Sequence, residues 1–211
     1  MLPLASSKPT RKCFNTVLRV PLIIALALAI AFGGGIASAI SMLNASVGAG
    51  AITVGVWRAF PKAQTADADP YAKAHRARTG RLLYGGAEGL SFTAETDETG
   101  ERLNANCSYR IHGTSPPARL FTLYAADRQG RWLKPADMLP SAFTSVAMPR
   151  GPDGDMDVVA APTARPGNWL ALPDAGGFSL VLTLFDTPAA GNSGLISFDM
   201  PKVEKIGCGH D

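Results

Sequence analysis

Apolar and polar positions follow two regimes along the chain. Between Arg19 and Arg58 there is no charged residue. Within that gap, residues 20–43 are long and apolar enough for one transmembrane helix, which needs about 20 residues to cross the hydrocarbon. Leu22–Phe32 is the densest apolar run, and Gly33–Leu43 extends it more weakly. The same stretch also fits a cleaved signal peptide, with Leu22–Phe32 as its apolar core and Ala37-Ser38-Ala39 as the small-residue cleavage site. The long leader 1–19 and the apolarity that continues past Ala39 favour an uncleaved signal anchor. Gly33, Ala37 and Ser41, spaced four apart, read as small residues tolerated in lipid rather than as a packing face.

Beyond the gap the period changes to two. Ala51–Phe60 alternates, is rich in β-branched and aromatic residues, and predicts a first strand ended by Pro61. Asp69 can cap a helix, Pro70 suits its first turn, and Thr79-Gly80 supplies the exit. Lys73, Arg76, Arg78 and Arg81 crowd the middle and end of this helix, where cations favour its dipole. It reads as a short solvated helix, with an anion or lipid-headgroup contact as the sharper alternative.

Short strands then follow at regular spacing: Leu90–Glu95, Asn106–His112, Arg119–Ala126, Ala142–Met148, Met156–Ala160, Asn168–Leu172, Phe178–Phe185, Gly194–Asp199 and Val203–Ile206. Turns separate them at Asp97-Glu-Thr-Gly100, Pro116-Pro117 and Asp127-Arg-Gln-Gly130. Phe178–Phe185 is apolar at nearly every position and predicts a central strand buried on both faces. The fold class expected is mainly β: an antiparallel sandwich or jelly roll over residues 51–211, with one short helix.

Charge matters only once it is partitioned. The net charge is +3, but Lys8, Arg11, Lys12 and Arg19 belong to the leader, which has no acid. From Arg58 onward the acids outnumber the cations by one. The exported part has no basic stripe, so nucleic acid is not an expected partner. Positive charge on one side of an apolar span keeps that side in the cytoplasm. The leader should therefore stay inside and the β-rich part should be exported.

Cysteines agree with this topology. Cys13 falls on the reducing side. Cys107 and Cys208 form an even pair in an oxidising compartment and are expected to bond, tying the last strand to the body of the domain.

Several motifs together resemble a known family. They are Gly55-x-Trp57-x-x-x-Pro61, Asp69-Pro-Tyr-Ala-Lys-Ala-His-Arg-Ala-Arg-Thr-Gly80, Glu88-Gly89, and Asp97-x-x-Gly100-x-x-Leu103. Cys107-x-Tyr109-Arg-Ile, Pro117-Ala-Arg-Leu-Phe-Thr-Leu-Tyr124, and Asn168-Trp-Leu170 followed by Phe178–Asp186 complete the set. The chain resembles the domain-of-unknown-function 1214 family, in its membrane-anchored alphaproteobacterial form. The resemblance runs from about Gly55 to Cys208, with Phe121 where related sequences tend to carry Trp. It implies a β-sandwich envelope domain on the periplasmic side of the inner membrane. It implies no established activity and no catalytic residues.

The residues themselves assemble no catalytic motif. The exported histidines are His75, His112 and His210, and none accompanies a Gly-x-Ser-x-Gly elbow. No His-x-x-x-His or Cys-x-x-Cys spacing occurs, so no metal or other cofactor is expected. Asp153-Gly-Asp155-Met-Asp157 alternates carboxylates as calcium loops do, but reads more simply as a turn entering a strand. Glu88 and Glu95 are candidates for a glycosidase carboxylate pair. Trp57, Trp132 and Trp169 read as packing residues, with Trp132 the one to examine for exposure. The function expected is a non-enzymatic binding or interaction module of the cell envelope, with an unknown protein, glycan or lipid partner. The alternative is an enzyme acting on envelope carbohydrate or lipid through acidic residues in a sandwich cleft.

Overall fold

The computed structural model describes residues 12–45, 51–61, 68–79, 89–135, 138–151, 153–173, 176–188 and 199–209. The chain divides into two compact units, Met1–Val47 and Gly48–Asp211.

The first unit is one helix, α1 (Lys12–Ala45), with Pro21 inside it. Within its segment Arg19–Ala45 an 18-residue stretch has a mean hydropathy of 2.4, and none of that stretch is buried. Length and composition suffice to cross a membrane, and a signal sequence would satisfy the same two criteria. The helix begins before the expected residue 20 and takes in the basic Lys12 and Arg19.

The second unit is mainly β. Its elements are β1 (Ile52–Val54), β2 (Trp57–Ala59), α2 (Pro70–Thr79), β3 (Gly89–Ala94), β4 (Cys107–Gly113), β5 (Leu120–Ala126), β6 (Ala142–Thr144), β7 (Met156–Ala161), β8 (Trp169–Ala171), β9 (Ser179–Phe185) and β10 (Lys202–Cys208). A six-stranded sheet has the order β1-β2-β3-β9-β5-β6 and a four-stranded sheet the order β10-β4-β7-β8. All neighbours are antiparallel except β7 and β8, which run parallel. The second sheet is therefore mixed rather than purely antiparallel.

Period-two alternation builds the core. Leu90, Phe92 and Ala94 of β3, and Phe121, Leu123 and Ala125 of β5, point inward from the larger sheet. Tyr109 and Ile111 of β4, Met156, Val158 and Ala160 of β7, and Val203 of β10 meet them from the smaller sheet. Central strand β9 is buried from Ser179 to Leu184, as its nearly continuous apolar run predicts. Its two hydroxyls are accommodated by partners: Ser179 Oγ reaches the Ala126 carbonyl, and Thr183 shares a 2.9 Å bond with Ser91. Trp57 is fully buried and its Nε1–H donates to the Pro201 carbonyl at 2.6 Å, joining β2 to the approach to β10.

Two of the expected strands depart most from the apolar pattern. The run Ala51–Phe60 folds back on itself as β1 and β2, with Val54 paired to Trp57 across Gly55-Val56. Gly55 has φ 58°, the left-handed value that a two-residue hairpin demands of its first central residue. Ala142–Met148 keeps only β6, because Ser145–Ala147 turns away after the Ser145 N–H bonds the Phe121 carbonyl. Helix α2 starts where expected: Asp69 Oδ1 accepts the N–H groups of Tyr71 and Ala72 at 2.8 and 3.0 Å. The expected strand Gly194–Asp199 falls almost wholly outside the described residues, as does His210.

Cys107 and Cys208 lie opposite each other in the β4–β10 ladder, their Sγ atoms 2.07 Å apart, at bonding distance. The linkage spans a sequence separation of 101.

Candidate functional site

The strand register separates the two ends of the larger sheet. At one end, β3 finishes at Ala94, β9 starts at Ser179 and β5 finishes at Ala126. Here three turns converge over the sheet face turned away from the core and enclose a cleft of about 250 Å³. Thr93 and Val181 form its floor. Glu95, Arg102, Asp127, Arg128 and Phe178 stand around it.

Each wall residue is held by a turn. The first runs from Asp97, whose Oδ1 accepts the N–H groups of Thr99 and Glu101 and the Thr99 hydroxyl, at 2.9, 3.0 and 2.6 Å. This fixes the hairpin in which Thr96 pairs with Arg102. Asp97 is buried, and desolvation pushes its pKa up. The bonds from Thr99 and Glu101, with the nearby Lys205, outweigh that and hold it below the ordinary carboxylate value.

Asp127 organises the second turn. Its Oδ1 accepts the N–H groups of Gln129 and Arg131, and its Oδ2 lies 2.7 Å from Arg131 Nε. Desolvation again acts upward, but the Arg131 N–H, its guanidinium and the Gln129 N–H together lower the pKa. The third turn, at Gly176–Phe178, is zipped to residues 103–105 by the Ala105 N–H to Gly176 carbonyl and the Phe178 N–H to Leu103 carbonyl bonds.

Gly177 is where the guanidinium of Arg128 rests. A Cβ on Gly177 would meet Arg128 Nη2 at 3.2 Å and Nε at 3.3 Å, so any other residue would push the guanidinium back by a few tenths of an ångström. Among the described residues, neither Arg102 nor Arg128 has a carboxylate within ion-pair distance. The cleft therefore offers two guanidinium groups to a ligand, while one of its two carboxylates is already satisfied.

That chemistry bears on the carboxylate pair expected of a glycosidase. Such a pair needs one acid with a raised pKa. Glu95 does line the cleft, but the other carboxylate lining it among the described residues is Asp127, whose pKa is lowered and whose oxygens are taken up by its own turn. Glu88 lies outside the described residues.

The other sequence candidates are dispersed. Asp157 makes a two-pronged pair with Arg110, at 2.9 and 2.8 Å, and so is committed across β4 and β7. Asp153 and Asp155 sit in the preceding turn, and no group of three potential metal ligands forms among the described residues. His112 Nε2 is 3.0 Å from Glu204 Oε2 on the outer face of the smaller sheet. Nothing is described of the His75 side chain. Trp57 is core, Trp169 is half-buried, and Trp132 is 52% exposed with its Nε1–H donating to the Ser141 carbonyl. Arg102 and Arg128 were not singled out in the sequence. Their one signal was that each lies in or just after an Asp-x-x-Gly turn.

No curated protein matches the chain. Two solved structures resemble it. The VPA0106 protein of Vibrio parahaemolyticus is 16% identical, with a TM-score of 0.54 over 69% of this chain and 37% of its own. An uncharacterized protein from Burkholderia cenocepacia is 18% identical, with a TM-score of 0.41 over 85% of this chain and 52% of its own. The chain thus spans well under two thirds of either neighbour, and the first likeness is one of fold alone. The family model for DUF1214, a protein of unknown function, matches residues 88–189, a segment that takes in the four charged cleft residues Glu95, Arg102, Asp127 and Arg128.

Proposed function

We propose that this chain is a non-enzymatic binding module of the cell envelope, held by α1 in the inner membrane with its sandwich in the periplasm. Its cleft takes one small anionic, hydroxyl-bearing unit, such as an acidic sugar residue of an envelope glycan. The observation that carries this reading is the pair of guanidiniums, Arg102 and Arg128, lining one cleft without carboxylate partners among the described residues. Guanidinium matches carboxylate and phosphate in two-pronged geometry. Glu95 is available to accept from ligand hydroxyls. A volume of about 250 Å³ is slightly under the usual range of about 300–1,000 Å³ for small-molecule sites, which suits a single sugar-sized unit. Asp127 is taken up by its own turn, through the Gln129 and Arg131 N–H groups and the Arg131 guanidinium, which speaks against a role for it in hydrolysis.

The test is calorimetric titration of the detergent-solubilised full chain with glucuronate, glucose and inorganic phosphate. Glucuronate should bind and glucose should not. Phosphate binding as tightly as glucuronate would point to phosphate esters instead of acidic sugars. Binding of glucose alone would overturn the role given to the two arginines.

A further inference from the structure

The floor of the cleft belongs to a register row that runs on to the edge of the larger sheet. Val181 of β9 pairs with Thr93 of β3, Thr93 with Arg58 of β2, and Arg58 with Thr53 of β1. The chain neighbours Trp57, Ala59, Phe92, Ala94, Leu180 and Leu182 face the core. Alternation along each strand therefore puts the row on the opposite face, where the cleft lies. Exposure rises along it, from Val181 at 1% through half-buried Thr93 to exposed Arg58 and Thr53. In the other direction the row continues through Tyr124 of β5 to Ala142 of β6 and carries no charge. No acid occurs between Ala51 and Phe60. Among the described residues no carboxylate lies within ion-pair distance of Arg58. Arg58 thus adds a third guanidinium to the face that already carries Arg102 and Arg128.

We infer that the cleft holds one unit of a linear polyuronate, and that the chain continues out of it over Thr93 to Arg58 and Thr53. Arg58 takes the carboxylate of a following unit. The inference rests on the reading of the cleft as an acidic-sugar site. A volume of about 250 Å³ holds a single ring, so further units of a chain lie outside it. Neighbouring strands are ~4.8 Å apart, and a 1,4-linked hexuronate advances by about that distance per ring. A chain laid across the strands therefore keeps step with the row, one ring to a strand. The ring beside the one in the cleft then falls at Arg58. A guanidinium takes a carboxylate in two-pronged geometry, and the hydroxyls of Thr93 and Thr53 flank it to meet those of the sugar. A neutral glycan would leave Arg58 without a counter-charge.

The test is calorimetric titration of the detergent-solubilised full chain with glucuronate and with 1,4-linked triglucuronate, repeated on Arg58→Ala and Arg58→Gln. Offering three equivalent units raises the apparent affinity about threefold by statistics alone. A charge-assisted contact adds about tenfold or more. Triglucuronate should therefore bind the wild type at least about thirtyfold more tightly than glucuronate does. In both variants, with folding checked by the melt, that advantage should fall to about threefold. Arg58 is exposed between two buried residues, so either replacement leaves Trp57 and Ala59 packed. A wild-type advantage of only about threefold would overturn the track, and so would a larger one that survives in both variants. Tripolyphosphate binding as tightly as triglucuronate would overturn the polyuronate as the ligand class. Failure of glucuronate and triglucuronate alike would overturn the reading of the cleft and this inference together.

Discussion

Breaking the Cys107–Cys208 link should destabilise the domain mainly by freeing its unfolded chain. The residues it joins are separated by 101 positions, so it closes a loop of more than half of the second unit. In the chain-entropy account a loop of that length contributes about 4–5 kcal/mol. Few native contacts are lost with the bond, because β10 remains paired to β4 from Lys202 to Gly207 and Trp57 still donates to Pro201. For a domain of this size each kcal/mol moves the melting temperature by about 2–4 °C, so a loss of roughly 10–15 °C is expected. Cys208→Ser is the cleaner variant, since Cys208 is exposed while Cys107 is buried in the core. Circular dichroism melts of the wild type, the variant and the reduced wild type make the test, and the last two should coincide. A reduced wild type that melts at the oxidised temperature would refute the reasoning. So would a variant that loses its β-sheet signal before heating, because native packing would then depend on the bond.

Two further substitutions probe the turns behind the cleft. Asp97→Ala removes an acceptor of three bonds in a buried site and should cost about 2–3 kcal/mol in chemical denaturation at neutral pH. The folded pKa of Asp97 is depressed, so its contribution is full above the unfolded value near 4 and is lost as pH falls through the folded value. The gap in stability between wild type and Asp97→Ala should therefore narrow as pH falls below the unfolded value, and a constant gap down to acid pH would contradict the assignment. Gly177→Ala crowds the Arg128 guanidinium by a few tenths of an ångström. It should weaken glucuronate binding severalfold while shifting the melting temperature little, and unchanged affinity would mean that Arg128 does not hold the ligand.

The strands of the sandwich were legible because each buries one face. Phe92, Tyr109, Leu123 and Val158 recur with their neighbours at every second position, and β9, buried on both faces, stood out as an unbroken apolar run. Periodicity failed where apolarity did not mean burial. Val146 lengthened the expected strand Ala142–Met148 yet lies exposed in the turn that ends β6. Alternation ran straight through Gly55, where backbone conformation rather than side-chain pattern dictates a hairpin. The parallel pairing of β7 and β8 leaves no trace in periodicity, since it depends on the path of residues 162–168. The cleft was illegible for a related reason. Glu95 and Arg102 belong to one hairpin and Arg128 to another turn, and only the strand order β3-β9-β5 brings the two together. Asp157 shows the converse: its spacing from Asp153 and Asp155 suggested a shared ion, but its partner Arg110 comes from another strand.

The claim that two arginines define the ligand is tested most directly by titrating glucuronate into the full chain and into Arg102→Ala/Arg128→Ala, with folding checked by the melt. A charge-assisted contact contributes about 1.5–3 kcal/mol, so losing both should lower affinity by roughly a hundredfold or more. Equal affinity in a correctly folded double variant would contradict the account.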